Sequence, residues 1–254
     1  MLTLAIADLY IPDRALALPS KFVKLLCPSP GSYPSNGKIS NVLCLGNITQ
    51  SLETLDFLYQ LLPEFHLVQG EMDDALLMAQ QLALLNGKPA STVPLSDIIS
   101  HDNLRIGFTN GYQITPRNDP LSLLTIAREM DVDVLIWGGT NKVEAYTLDG
   151  KFFINPGSAT GAFNTDWQEV LPEEVIEDNK EEEANPETKQ DAEGNSRETD
   201  SGKNIEKTTS ETTTDDEFVP SFCLLDTHDN SCNLYIYTYL ENEVKVDKVS
   251  YTKE

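Results

Sequence analysis

A chain of 254 residues with 41 acidic against 18 basic side chains, a formal charge of −23, repels nucleic acid and anionic membranes alike. Its 40% hydrophobic content is that of a folded domain, and the length allows one substantial core. The longest apolar runs, such as 132–137, fall far short of the roughly 18 residues a membrane-spanning helix needs.

The N-terminal stretch reaches Asp8 without a basic leader, so 2–7 reads as a first strand and not as a signal peptide. Further strands are expected at 42–45, 66–68, 106–108, 134–137 and 152–154, each followed by turn chemistry. Helical spacing lies between several of them. At 52–62 leucine and phenylalanine recur at three- and four-residue intervals, and 74–85 forms a second pattern ended by Asn86-Gly87. A third, 121–130, follows Asp119-Pro120, a capping residue with proline at the first helical position. Three more strands are expected at 221–225, 233–240 and 244–251.

Strands interleaved with helices, followed by a run of strands, predict an α/β fold: a layered β-sandwich flanked by helices, with an antiparallel second sheet. Cys27, Cys44, Cys223 and Cys232 have no C-x-x-C spacing, and two of them lie within apolar strand-like runs, where reduced, buried thiols of a cytosolic protein are expected.

The stretch 168–217 holds 18 acidic and 5 basic residues, a net of −13, and no aromatic residue. Such a segment cannot bury enough apolar surface to offset the entropy of ordering, so it is expected to be a disordered insertion in a single domain spanning 1–254. Two readings stand for it: an acidic docking or phosphorylation segment, or a tolerated surface insertion, since lengthening a loop costs little closure entropy.

Five turns follow apolar runs: Asp8-Leu9-Tyr10, Gly46-Asn47, Gly70-Glu71, Asn110-Gly111-Tyr112 and Gly139-Thr140-Asn141. In open α/β sheets ligands collect beyond the carboxyl ends of strands, which is where these turns fall. None of the three histidines, His66, His101 and His228, falls in a turn, and His66 and His101 are expected to be structural, without a sequence-local carboxylate partner.

Together with the segment FINPGSATG at 153–161, the turns resemble the calcineurin-like metallophosphoesterase fold. Segments 1–14, 18–26, 153–164 and 219–226 narrow the resemblance to the small phosphoesterase-fold subunits of retromer, the endosomal sorting complex. It covers nearly the whole chain apart from insertions near 28–38, 75–95 and 167–216. Active members of the fold place histidines and bridging carboxylates in these turns to hold two metals about 3.5–4 Å apart. Here the positions carry Asp8, Tyr10, Asn47, Glu71, Asn110, Tyr112, Gly139 and Asn141, and amide or phenol oxygens are poor ligands for transition metals. The resemblance therefore implies no catalytic residue, no resident metal and no cofactor. Asp8 reads as a turn-capping carboxylate, with a weakly held divalent cation as the alternative reading.

What the resemblance implies in place of catalysis is a non-catalytic scaffold for endosome-to-Golgi retrieval of vacuolar sorting receptors. The face bearing the degenerate site would dock an α-solenoid subunit through Tyr10, Asn110, Tyr112, Ile114, Thr115, Pro116 and Asn141, the aliphatic anchor falling at Ile114 or Thr115. A second, hydrophobic patch would take peptides of Rab regulators through Leu2, Leu25, Leu26, Leu224, Tyr235, Tyr237 and Val246. The bland alternative for these residues is ordinary core packing. Other retromer and sorting-nexin components are implied partners, with a cytoplasmic location and membrane association only through the complex. The rival function is a residual metal-dependent phosphoesterase resting on Asp8, Glu71 and Asp73.

Overall fold

In the first sheet, side chains alternate between two cores. Strand β1 (Leu2–Ile6) sends Leu4 and Ile6 to one face and Ala5 to the other, and β2 (Asn41–Cys44) divides Val42 and Cys44 from Leu43 in the same way. The computed structural model describes residues 1–48, 50–61, 64–89, 91–163 and 219–253. The acidic stretch at 168–217, and with it the expectation of disorder, lies outside them.

Strands β1, β2 and β3 (Phe65–Leu67) run parallel, and β9 (Ser221–His228) pairs antiparallel with β1. Strands β10 (Ser231–Leu240) and β11 (Glu243–Thr252) complete a six-stranded sheet in the order β11-β10-β9-β1-β2-β3. The C-terminal run of strands therefore extends the first sheet and does not build the second, which corrects the expected arrangement. The second sheet, in the order β4-β5-β6-β8-β7, is mixed: β5 (Leu104–Thr109), β6 (Val134–Ile136) and β8 (Lys151–Pro156) are parallel, while β4 (Ser96–His101) and β7 (Val143–Leu148) add antiparallel edges. The two edge strands escape sequence reading because they are only half buried and do not form apolar runs.

The inner faces of the two sheets share one core, with Ala5, Leu43 and Cys223 meeting Phe108, Ile136 and Ile154. Burial pushes the Cys44 and Cys223 thiols well above the ordinary range and that of Cys232 up to about 12, so all three stay protonated. Three helices cover the outer face of the first sheet. In α2 (Leu52–Leu61) the buried Leu55, Leu58 and Leu61 fall at three-residue spacing. Helix α1 (Ser20–Leu26) inserts Phe22 edge-on against Phe222 at 4.7 Å. Helix α3 (Ala75–Asn86) begins at Asp74, whose carboxylate accepts the Leu76 and Leu77 N–H groups, and ends at left-handed Gly87. On the second sheet's outer face α4 (Pro120–Glu129) buries Leu123, Leu124 and Ala127 against Trp137 and Phe153. Its start is the expected one, with Asp119 accepting from Ser122 N.

Candidate functional site: a cluster of altered turns

The five turns gather beyond the carboxyl ends of β1, β2, β3, β5 and β6, and backbone strain marks the place. Asp8, Tyr10, Asn47 and Asn141 all hold positive φ, between 48° and 59°. Asp and Asn tolerate this conformation, whereas for a tyrosine it is a true outlier. Gly46, at φ 84°, lies so close to Gly70 that a Cβ on either would collide with the backbone of the facing turn. Two turns in direct backbone contact leave room only for glycine.

Asp8 is the centre. Its side chain has no solvent exposure, and Oδ1 accepts from Asn47 Nδ2 at 2.7 Å and from Asn110 Nδ2 at 3.4 Å, while Oδ2 accepts from Gly139 N at 2.6 Å. The carboxylate thus ties four turns together, which is more than the capping of its own turn. Burial raises its pKa to about 6; the bonds from Asn47, Gly139 and Asn110 oppose that rise without cancelling it. Asn47 Nδ2 also reaches the Tyr10 hydroxyl at 2.9 Å, and the Arg14 guanidinium covers the Tyr10 ring at 4.1 Å.

The second carboxylate of the cluster is Asp73. Its Oδ2 accepts the backbone N–H of Asn47 at 2.6 Å and that of Gly70 at 2.9 Å, bracing the Gly46–Gly70 contact. Sequence reading placed Glu71 here, but Glu71 turns outward to pair with Arg117 at 2.6 Å. Of the adjacent Asp73 and Asp74, one ties two turns while the other caps α3.

The segment 155–161 clasps the Asp8 turn from the far side. Ser158 Oγ donates to Asp8 O at 2.6 Å, Thr160 Oγ1 donates to Leu9 O at 2.8 Å, and Ala159 N donates to Ala7 O at 3.0 Å. Two hydroxyls and the Ala159 amide of the segment are therefore engaged in holding the turn.

The residues expected to present a docking face divide sharply. Tyr112, Thr115 and Pro116 reach the surface, whereas Tyr10, Asn110, Ile114 and Asn141 are buried. Ile114 packs into the α4 core, and the outward positions of the loop are Thr115 and Pro116. Sequence reading missed Phe163, which lies beneath Arg14 at 5.5 Å and is half exposed; its carbonyl accepts from Arg14 and from Asn141 Nδ2. In the second patch Leu26 and Leu224 are core, while Leu2, Tyr235 and Tyr237 are partly buried and Leu25 and Val246 are exposed. The β10–β11 register sets Tyr237 directly opposite Val246. His66 and His101 do have carboxylate neighbours, Asp97 at 3.5 Å and the sequence-adjacent Asp102 at 3.2 Å, so the expectation of no local partner fails for His101.

The arrangement does not fit a two-metal centre. Both Asp8 oxygens are engaged by N–H donors, Asp73 is engaged by two more, and no histidine stands in the turns. Among the described residues no group of three or more His, Cys, Asp or Glu is arranged to hold a metal ion.

Two mixed sheets packed face to face under flanking helices, with strand-end turns converging on an aspartate, define a calcineurin-like phosphoesterase domain. The model of that superfamily domain matches residues 4–175. Vacuolar protein sorting-associated protein 29 of Saccharomyces cerevisiae is 43% identical over the full length of both chains. The crystal structure of Chaetomium thermophilum Vps29 superposes with a TM-score of 0.69 at 37% identity, again over the full length of both chains. A wild-type Vps29 from Entamoeba histolytica complexed with Zn2+ superposes with a TM-score of 0.65 at 29% identity, covering 98% of this chain and 99% of that one. The chain belongs to the Vps29 family of calcineurin-like phosphoesterase folds.

Proposed function

We propose that this chain is a non-catalytic scaffold subunit of a retromer-type sorting complex, docking an α-solenoid subunit through the surface above its altered turns. The observation that carries the proposal is the Asp8 cluster: a carboxylate at a metal-ligand position of the fold is bound by amide donors from three other turns, and its role is to fix their relative positions. A rigid, strained set of turns presenting Tyr112, Thr115 and Pro116 suits a binding surface, because preorganised loops lose little entropy on association. The sorting role named for the yeast relative supports the same reading. The second patch, reduced to Leu2, Leu25, Tyr235, Tyr237 and Val246 at its surface, takes aliphatic and proline-containing peptides of Rab regulators. Other retromer and sorting-nexin components complete the assembly. The chain works in the cytoplasm, on the endosomal membrane through that complex, in keeping with a described structure in which no helix is long and apolar enough to cross a bilayer.

Calorimetric titration of the purified chain with the purified solenoid subunit tests the proposal. Saturable binding that is weakened by Thr115→Glu supports it. Association indifferent to that substitution moves the docking face elsewhere.

A further inference from the structure

Strand β11 closes one side of the first sheet and pairs only with β10. It is ten residues long, its register with β10 runs unbroken from Glu243 to Thr252, and it contains no proline. A long edge of this kind is a template for pairing with another chain, and proteins blunt such edges with proline, bulges or lysines. Here the lysines do not stand alone. Glu243, Lys245 and Asp247 are exposed and, at two-residue spacing, share one face of the strand, so its charges read minus, plus, minus. Across the hairpin these three meet Leu240, Thr238 and Ile236, none of them charged.

The hairpin also decides which backbone groups point outward. Its two-residue turn, Glu241-Asn242 with φ of 50° and 67°, closes on the Leu240–Glu243 pair, whose N–H and C=O groups bond each other. Bonded and non-bonded pairs alternate along an antiparallel ladder. Lys245, Asp247 and Val249 therefore bond to β10 as Glu243 does, while Val244, Val246 and Lys248 direct their N–H and C=O groups to the open edge.

A second β11, related by a two-fold axis through Val246, meets those groups with its own. Val246 pairs with its copy and Val244 with Lys248 on either side, about six backbone hydrogen bonds in all. The same register sets Lys245 opposite Asp247 twice, in the non-bonded pairs where cross-strand side chains come closest. Moving the axis by one residue either way sets Lys245 or Asp247 against its own copy. The charge pattern thus selects one register of self-pairing.

We infer that β11 is a self-association edge through which two copies of this chain join into one continuous sheet. Val246, 50% exposed in the single copy, lies on the axis. The contact is narrow and a charge of −23 opposes it, so the dimer belongs to the weak, transient class and needs salt enough to screen long-range repulsion. The inference stands apart from the docking reading.

Sedimentation velocity of the full chain at about 0.15 M ionic strength, in a concentration series reaching the high micromolar range, tests it beside Lys245→Asp and Asp247→Lys. A monomer–dimer equilibrium is expected for the wild type. Each variant sets like charges opposite each other twice and is expected to dimerise at least about tenfold more weakly with an unchanged thermal melt. An equimolar mixture of the two variants brings lysines against aspartates again and is expected to regain the wild-type affinity, which an effect confined to one copy cannot produce. A wild type that stays monomeric throughout overturns the inference. So does a dimer that both variants leave intact, which places the contact on another surface, or a mixture no tighter than its components, which breaks the register. Should either charge change lower the melt, Val246→Pro removes one outward N–H from the edge, and a dimer as tight as the wild type's then overturns the pairing.

Discussion

Asn47 donates its side-chain amide to the Asp8 carboxylate at 2.7 Å, and that bond is a strut between two turns. The same nitrogen reaches the Tyr10 hydroxyl, so one amide joins Asp8, Tyr10 and its own turn.

The first consequence concerns pH. Asp8 has a folded pKa of about 6, above the roughly 3.9 of an unfolded aspartate, so between these values the native state binds the extra proton. Native stability attributable to Asp8 is therefore greatest at low pH, falls as pH rises from about 4 to about 6, and levels off above. The difference between the folded and unfolded values corresponds to about 3 kcal/mol. Denaturation curves of the wild type and Asp8→Asn at stepped pH should show their stability difference moving against the wild type across that window. A difference flat from pH 4 to 7 contradicts the assignment.

Asp73 should matter for folding more than its place in a loop implies. Asp73→Ala leaves two buried backbone N–H groups, of Asn47 and Gly70, without their acceptor. The expected loss is about 2–4 kcal/mol, read as a lowered midpoint in urea. Glu71→Ala removes only a half-exposed ion pair with Arg117, and its effect should stay below about 1 kcal/mol.

Gly46→Ala tests the strain. The new methyl group would collide with the Gly70 backbone and sit at φ 84°, so a loss above about 2 kcal/mol is expected in the same denaturation assay. A neutral outcome means the two turns can separate without cost.

Metal addition should do little. With both Asp8 oxygens and Asp73 Oδ2 accepting from N–H donors, millimolar Mn2+ is expected to move the melting temperature by less than about 1 °C, because a ligand that does not bind the native state cannot stabilise it. A shift of several degrees that disappears in Asp8→Ala restores the residual phosphoesterase reading.

Much of the fold was legible in the sequence wherever a strand is buried on both faces or a helix carries its own cap. β1, β2, β6 and α4 show themselves as apolar runs or through Asp119-Pro120. Edge strands β4 and β7 do not, because their burial depends on neighbours far along the chain. The same limit applies at the site. The altered turns could be located by position, but which side chains face outward depends on packing: Ile114 disappears into the α4 core and Tyr10 under Arg14, while Thr115 and Pro116 remain. That Asp73 and not Glu71 braces the cluster depends on how the chain turns between β3 and α3, which residue types alone do not encode.

The proposed regulator patch is open to a separate test. Val246 is 50% exposed and pairs with Tyr237 across the β10–β11 register, so Val246→Glu should leave the thermal melt unchanged and weaken a proline- and leucine-containing regulator peptide about tenfold in a fluorescence titration. Unchanged peptide affinity would return these side chains to the role of sheet packing.

In the proposed function this face binds a protein partner by shape and without a metal. Calorimetric titration with the purified α-solenoid subunit, run in parallel with excess EDTA and with Mn2+, tests it most directly. The same saturable one-to-one isotherm is expected in both buffers. An isotherm that vanishes in EDTA and returns with Mn2+ would contradict it.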